Sequence, residues 1–167
     1  MPEPLTIEAV GERQLVITRA FDAPRELVFL CYSRPDLLRR WYGLPDWPMV
    51  VCDMDFRVGG KWRFVTRGPG GQELASQGVY TAIEPPARIE QTETYDDNWT
   101  GGETHNVLAL TAAGAGKTLS VTTVTYATPE ARAGAAASPM AEGMETGFRR
   151  LDTLLAEETR QPKGDAS

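Results

Sequence analysis

The chain has 167 residues, a net charge of −6 and a 41% hydrophobic content, which together fit one globular domain with one core. The acidic balance, with no Lys/Arg cluster among aromatics, argues against nucleic acid as a partner, because counterion release needs a basic face. No apolar run approaches the roughly 20 residues that span a bilayer, and Met1-Pro2-Glu3-Pro4 lacks the basic and apolar regions of a signal peptide. A soluble, cytoplasmic protein with no membrane partner is expected.

In chain order, the run Leu15-Val16-Ile17-Thr18-Arg19-Ala20-Phe21 reads as the opening strand. Asp22 suits a helix N-cap and Pro24 a first helical turn. Residues 24–33 then place Leu27, Val28, Leu30 and Cys31 on one broad face of an amphipathic helix. A second short helix covers 36–41 and stops at Gly43 and Pro45. From 49 to 57 the period changes to two, with Val50, Cys52, Met54 and Phe56 on one face. Gly59-Gly60 predicts a hairpin into the strand 61–67, since tight hairpin turns need positive φ. Further strands follow at 72–83, 88–95, 103–112 and 117–126, separated by Gly-, Pro- and Asp-rich turns. Short connections make these an antiparallel meander. Thr128-Pro129-Glu130 starts a helix, and Ser138-Pro139 restarts a longer one through about residue 158. Its residues Met140, Met144, Phe148, Leu151 and Leu155 form one apolar stripe, with Gly143 and Gly147 leaving room for another group. The tail 160–167 is polar and expected to fray.

The resulting prediction is an α+β helix-grip fold in one domain over 1–167, with its core at about 12–158. A seven-stranded antiparallel sheet wraps a long C-terminal helix, and two short helices follow strand 1. Several motifs at matching order and spacing resemble one branch of the START-like superfamily, also called SRPBCC or birch-pollen-allergen-like. They are the entry segment from Ile17 to Phe29, Leu38-Arg39-Arg40-Trp41-Tyr42-Gly43, Gly59-Gly60-Lys61-Trp62-Arg63-Phe64, Gly78-Val79-Tyr80 with Pro85-Pro86, and Gly143-Met144-Glu145. That branch comprises homologues of the activator of the heat-shock protein 90 ATPase. The resemblance covers roughly residues 12–157. It implies a ligand cavity between sheet and helix, a link to stress response, and compatibility with a homodimer. A chaperone partner is a further implication, although the chain lacks the N-terminal domain that the eukaryotic chaperone activators carry.

Strand parity selects the candidate site. Trp62, Phe64 and Tyr80 are expected inward, because Lys61 and Arg63 are costly to bury. Ile89 and Tyr95 share a parity that also places Gln91 and Glu93 inward. An inward carboxylate among aromatics reads either as a fixed acceptor or acid/base group, or as half of an ion pair. Trp41, Tyr42, Trp47 and Trp99 lie in loops or short helices where they can rim a cavity, or pack as ordinary core and lid. Met140, Met144 and Phe148 would form the helix side of the pocket, or plain core. Parity turns His105 outward and Asn106 inward, leaving a Glu93 dyad with Asn106 or His105 as the enzymatic alternative, of cyclase or hydrolase type. Cys31 and Cys52 have no metal-like spacing and read as small buried hydrophobes. One histidine and no phosphate loop, HExxH or GxSxG motif lead to the expectation of no cofactor and no metal. The leading expectation is a non-enzymatic module that binds a hydrophobic or aromatic small molecule.

Overall fold

Alternating burial marks the inner face of the sheet in the computed structural model, which describes residues 2–160. Eight strands, β1 (Thr6–Val10), β2 (Gln14–Phe21), β3 (Met49–Met54), β4 (Lys61–Arg67), β5 (Glu73–Glu84), β6 (Arg88–Tyr95), β7 (Thr104–Ala112) and β8 (Thr118–Thr125), form one antiparallel sheet. Their order is β1-β2-β8-β7-β6-β5-β4-β3. From β3 to β8 sequence neighbours are sheet neighbours, as the short turns require. Helices α1 (Arg25–Ser33) and α2 (Pro35–Leu38) carry the chain from β2 to the far edge, and α3 (Pro129–Ala137) and α4 (Met140–Arg160) follow β8. Thr128 caps α3 by accepting a hydrogen bond from the Ala131 amide at 3.0 Å. Residues 161–167 of the polar tail lie outside the described residues.

The sheet has one strand more than the seven expected. β1 is an edge strand whose side chains are mostly exposed, so it carries no apolar alternation to read. Backbone pairing with β2 holds it, from Thr6 opposite Thr18 to Val10 opposite Gln14, with Gly11 at φ 59° in the turn.

Three local expectations are corrected. Asp22 does not cap α1; it pairs with Lys117 at 2.9 Å, and Pro24 occupies the cap position without a side-chain bond. The inner face of α1 is Val28, Phe29 and Cys31, while Leu30 is exposed on the opposite side of the helix. In β3 a register shift between Met49 and Val51 breaks the period of two, so Met49 and Cys52 are buried and Val50 faces out. Cys31 and Cys52 are both free and buried.

Gly78 of β5 is required by close approach. A Cβ there would sit 1.8 Å from the Thr92 carbonyl oxygen and 2.8 Å from Trp62 Nε1. The backbone of β6 comes this near to β5 at a point where no side chain fits between them.

The C-terminal half of α4 closes the core. Gly147, Phe148, Leu151, Leu154 and Leu155 are buried and join Leu15, Ile17 and Phe21 of β2 in one cluster. The group that uses the space beside Gly147 is the chain after α2: a Cβ on Gly147 would stand 3.3 Å from the Trp41 carbonyl oxygen. Gly143 faces Leu44 of the same loop. An ion-pair cluster fastens α4 to the sheet as well. Arg19, inward on β2 and 2% exposed, donates to both oxygens of Glu145 at 3.1 and 3.0 Å and to both of Asp152 at 3.0 and 2.8 Å. Glu145 also accepts from the Leu5 amide at 2.9 Å, so the lead into β1 reads the same carboxylate.

Candidate functional site

Between the concave face of the sheet and the first half of α4 lies a cavity of about 550 Å³. Its floor comes from strand parity. Ile89, Gln91, Glu93 and Tyr95, every second residue of β6, all line it, with Phe64 of β4 and Tyr80 of β5 beside them. Asn106 and Leu108 of β7, together with Val124 and Tyr126, continue the wall. Met140, Met144 and Phe148 face it from α4, and Trp41 and Tyr42 close one side. Trp99 stands at the mouth, 39% exposed, with its ring 5.3 Å from that of Tyr95.

Trp62 and Trp47 depart from this arrangement. Trp62 points inward and is 2% exposed, but it is no part of the cavity wall; it packs on Phe64 at 4.6 Å and fills the space over Gly78. Its Nε1 is buried without a partner. Trp47 covers Gly68, where a Cβ would meet its ring at 2.5 Å, and does not rim the cavity. Tyr126 went unnoticed in the sequence as a wall residue, although it shares the parity of Val124; its hydroxyl donates to Met140 Sδ at 3.8 Å.

The aromatics hold one another in fixed orientations. Trp41 donates its Nε1 to the Cys31 carbonyl at 3.0 Å, stacks on Phe148 at 6.2 Å and meets Tyr32 edge-on at 5.0 Å. Tyr42 meets Phe64 edge-on at 5.4 Å. Burial pushes the hydroxyls of Tyr42, Tyr80 and Tyr126 up, so all three are neutral donors at physiological pH.

Glu93 is the ionisable centre of the cavity. Asn106 Nδ2 donates to Glu93 Oε1 at 3.3 Å, and Asn106 Oδ1 is buried without a partner. No ion pair reaches Glu93 among the described residues, and the residue lines the cavity. Burial pushes this carboxyl up to about 7, against hydrogen bonds with Asn106 and Tyr95 that pull it down. His105 is not its partner. The ring lies on the outer face, 44% exposed, with Nε2 3.5 Å from Glu90 Oε1, so the Glu93–His105 dyad is excluded.

The Glu93 shift carries a stability signature. In the unfolded chain the carboxyl titrates near 4.5, and in the folded protein near 7. Its contribution is fully present below about 4.5 and is lost as pH rises through about 7, a change of about 3–4 kcal/mol at ~1.4 kcal/mol per unit. Glu93→Gln is expected to remove that loss, so its stability gain over wild type grows between pH 4.5 and 8. Urea unfolding of both proteins at several pH values checks this; a difference that stays constant with pH contradicts it.

Among the described residues no group of three or more His, Cys, Asp or Glu side chains is placed to hold a metal ion. No helix among them is long and apolar enough to cross a membrane.

Comparison with known proteins agrees with this architecture. The family described as activator of Hsp90 ATPase homolog 1-like protein matches residues 22–156. A solved structure from Rhodobacter sphaeroides is 37% identical, covers 93% of this chain and 99% of its own, and superposes with a TM-score of 0.88. A protein from Arthrobacter aurescens is 26% identical over 91% of each chain, with a TM-score of 0.80. Protein Ms6760 from Mycobacterium smegmatis is also 26% identical, covering 91% of this chain and 97% of its own, with a TM-score of 0.78. No curated protein matches the sequence. With its grip of sheet around helix and the family match over most of its length, the chain belongs to the activator-of-Hsp90-ATPase-homologue branch of the START-like, or SRPBCC, superfamily.

Proposed function

We propose that the protein is a binding module for an apolar or aromatic small molecule held between the sheet and α4. The cavity carries this reading: its volume of about 550 Å³ falls within the range of ligand pockets, roughly 300–1,000 Å³. Its wall is mainly aromatic and aliphatic, with Glu93, Asn106 and Gln91 among its polar groups. Binding then draws on apolar burial, about 25 cal/mol per Å² before ordering costs. Met140 and Met144, only partly buried, let the helix side adjust to the guest.

Thermal shift and Trp fluorescence with a panel of bicyclic aromatics and medium-chain aliphatics test the proposal. At least one class is expected to raise the midpoint and change the emission of Trp41, and Met144→Trp, which fills the cavity, is expected to abolish the response. A panel without any response, or an unchanged response in Met144→Trp, overturns it.

A second reading is favoured by one observation, the Glu93 carboxyl near 7, the range suited to a general acid or base. Glu93 with Asn106 would then act on a bound substrate. Conversion of a bound ligand that stops in Glu93→Gln while binding persists would select this reading.

A further inference from the structure

The charge balance of the cavity narrows its ligand class, and this step rests on the binding reading above. Glu93 is an acceptor group deep in the wall, and Asp97 stands at the mouth. Among the described residues lining the cavity there is no Lys, Arg or His. Asn106 orients the carboxylate by donating to one oxygen, while its own Oδ1 remains an uncompensated acceptor in the same wall. The rings of Trp41, Tyr42, Phe64, Tyr80 and Tyr95 line the same cavity, and aromatic faces present negative potential. A buried carboxylate without a cation is costly, and an aromatic wall around it attracts positive charge. We propose that the cavity takes an apolar or aromatic amine as its ammonium ion, with Glu93 as the counter-ion and the aromatic rings as its walls. A ligand carboxylate would meet two like charges and no cation, and is disfavoured.

The ammonium group brings three donors and no acceptor. Glu93 receives one, and Gln91 and the tyrosines of the same wall carry the acceptor oxygens for the others. The titratable groups that face Glu93 are Tyr95 on its own strand, Tyr42 from the loop after α2, and Tyr126 beyond β8; α4 contributes Met140 and Met144, which do not titrate. The tyrosines stay neutral across the accessible range, and Asp97 stands apart at the mouth, so Glu93 is the group deep in the wall that sets the pH response of binding. An amine that needs the ionised carboxylate binds better once Glu93 has lost its proton. Around the transition near 7, apparent affinity follows the ionised fraction, which rises about tenfold from pH 6 to pH 8.

Calorimetric titration with three ligands on one skeleton, 2-(1-naphthyl)ethylamine, 2-(1-naphthyl)ethanol and 1-naphthylacetate, tests this on the full chain. The amine is expected to bind about tenfold or more tightly than the alcohol, the margin of a hydrogen bond to a charged group, with the carboxylate weakest. The preference is expected to grow about tenfold between pH 6 and 8, with a proton released near pH 7 as measured in buffers of different ionisation heat. Glu93→Gln is expected to bind amine and alcohol alike, without proton release, and its folding is verified by circular dichroism. If the alcohol binds as well as the amine in wild type, or Glu93→Gln keeps the preference, the counter-ion assignment is overturned and the cavity reading survives. If none of the three binds, both fail.

Discussion

Replacing Arg19 with methionine is expected to cost about 3–5 kcal/mol of folding stability, the range for removing one partner of a buried ion pair. The guanidinium is buried and serves two carboxylates bidentately, from Glu145 and Asp152, which lie about two turns apart on one face of α4. Those side chains are only 15% and 11% exposed, so loss of the cation leaves two poorly solvated negative charges facing each other. Methionine retains much of the packing against Phe21 and Phe148, whose rings lie 5.1 and 5.8 Å from the guanidinium carbon, so the loss reports mainly on charge. Lysine is expected to restore only part, because a single ammonium cannot span two bidentate sites. The pH dependence has a definite sign. Burial raises the Glu145 carboxyl, but Arg19, the Leu5 amide and Arg149 outweigh it and hold the group below its ordinary value of 4.5. That contribution is present above about 4.5 and is lost as pH falls through the lower folded value. Urea unfolding at pH 7 and in acid should show the gap between wild type and Arg19→Met narrowing in acid. A loss below about 1 kcal/mol at neutral pH would contradict the role assigned to the cluster.

Phe148→Ala is expected to cost about 3–5 kcal/mol as well, through a different mechanism. The ring is 5% exposed, meets Phe21 edge-on at 5.5 Å and stacks on Trp41 at 6.2 Å. Truncation removes a ring that fills the boundary between the packed core and the cavity, so the void it leaves is continuous with that cavity. Stability should fall while the cavity accepts a guest larger by about one ring. Chemical unfolding reads the first effect, and a size series of aromatic ligands reads the second. Because Phe148 touches Arg19, the double variant should depart from additivity by more than the roughly 0.5 kcal/mol typical of distant sites. Additive losses would show that the ring and the ion cluster act independently.

How much of this was legible in the sequence depended on whether local pattern or distant partners decided the outcome. β6 shows the favourable case: a period of two carried by Ile89 and Tyr95 was enough to bring Gln91 and Glu93 to the cavity. The same rule turned Asn106 inward and His105 outward. It failed at Val50, where a bulge changes the phase and no residue announces it. β1 escaped because an edge strand held by backbone bonds needs no apolar face. Arg19 is the most instructive miss. Parity with Leu15, Ile17 and Phe21 places it inward, yet a charged side chain is read as outward by default, a rule that succeeds for Arg63 beside Asp96. What overrides it comes from 126 and 133 residues away, too far for any local pattern to reveal. Trp47 and Trp62 show the corresponding weakness for aromatics, since large rings cover glycines as readily as they line cavities.

The uneven burial along α4 sets how this scaffold can change. Its last three turns hold Leu151, Leu154 and Leu155 in the core and Asp152 on Arg19, whereas Met140 and Met144 near its start touch the cavity and are only half-buried. One helix therefore keeps inheritance of the fold at one end and freedom to vary at the other. Substitutions at 140 and 144 can reshape the cavity wall without disturbing the positions that hold the chain folded, so this architecture leaves its cavity free to vary while its core is kept.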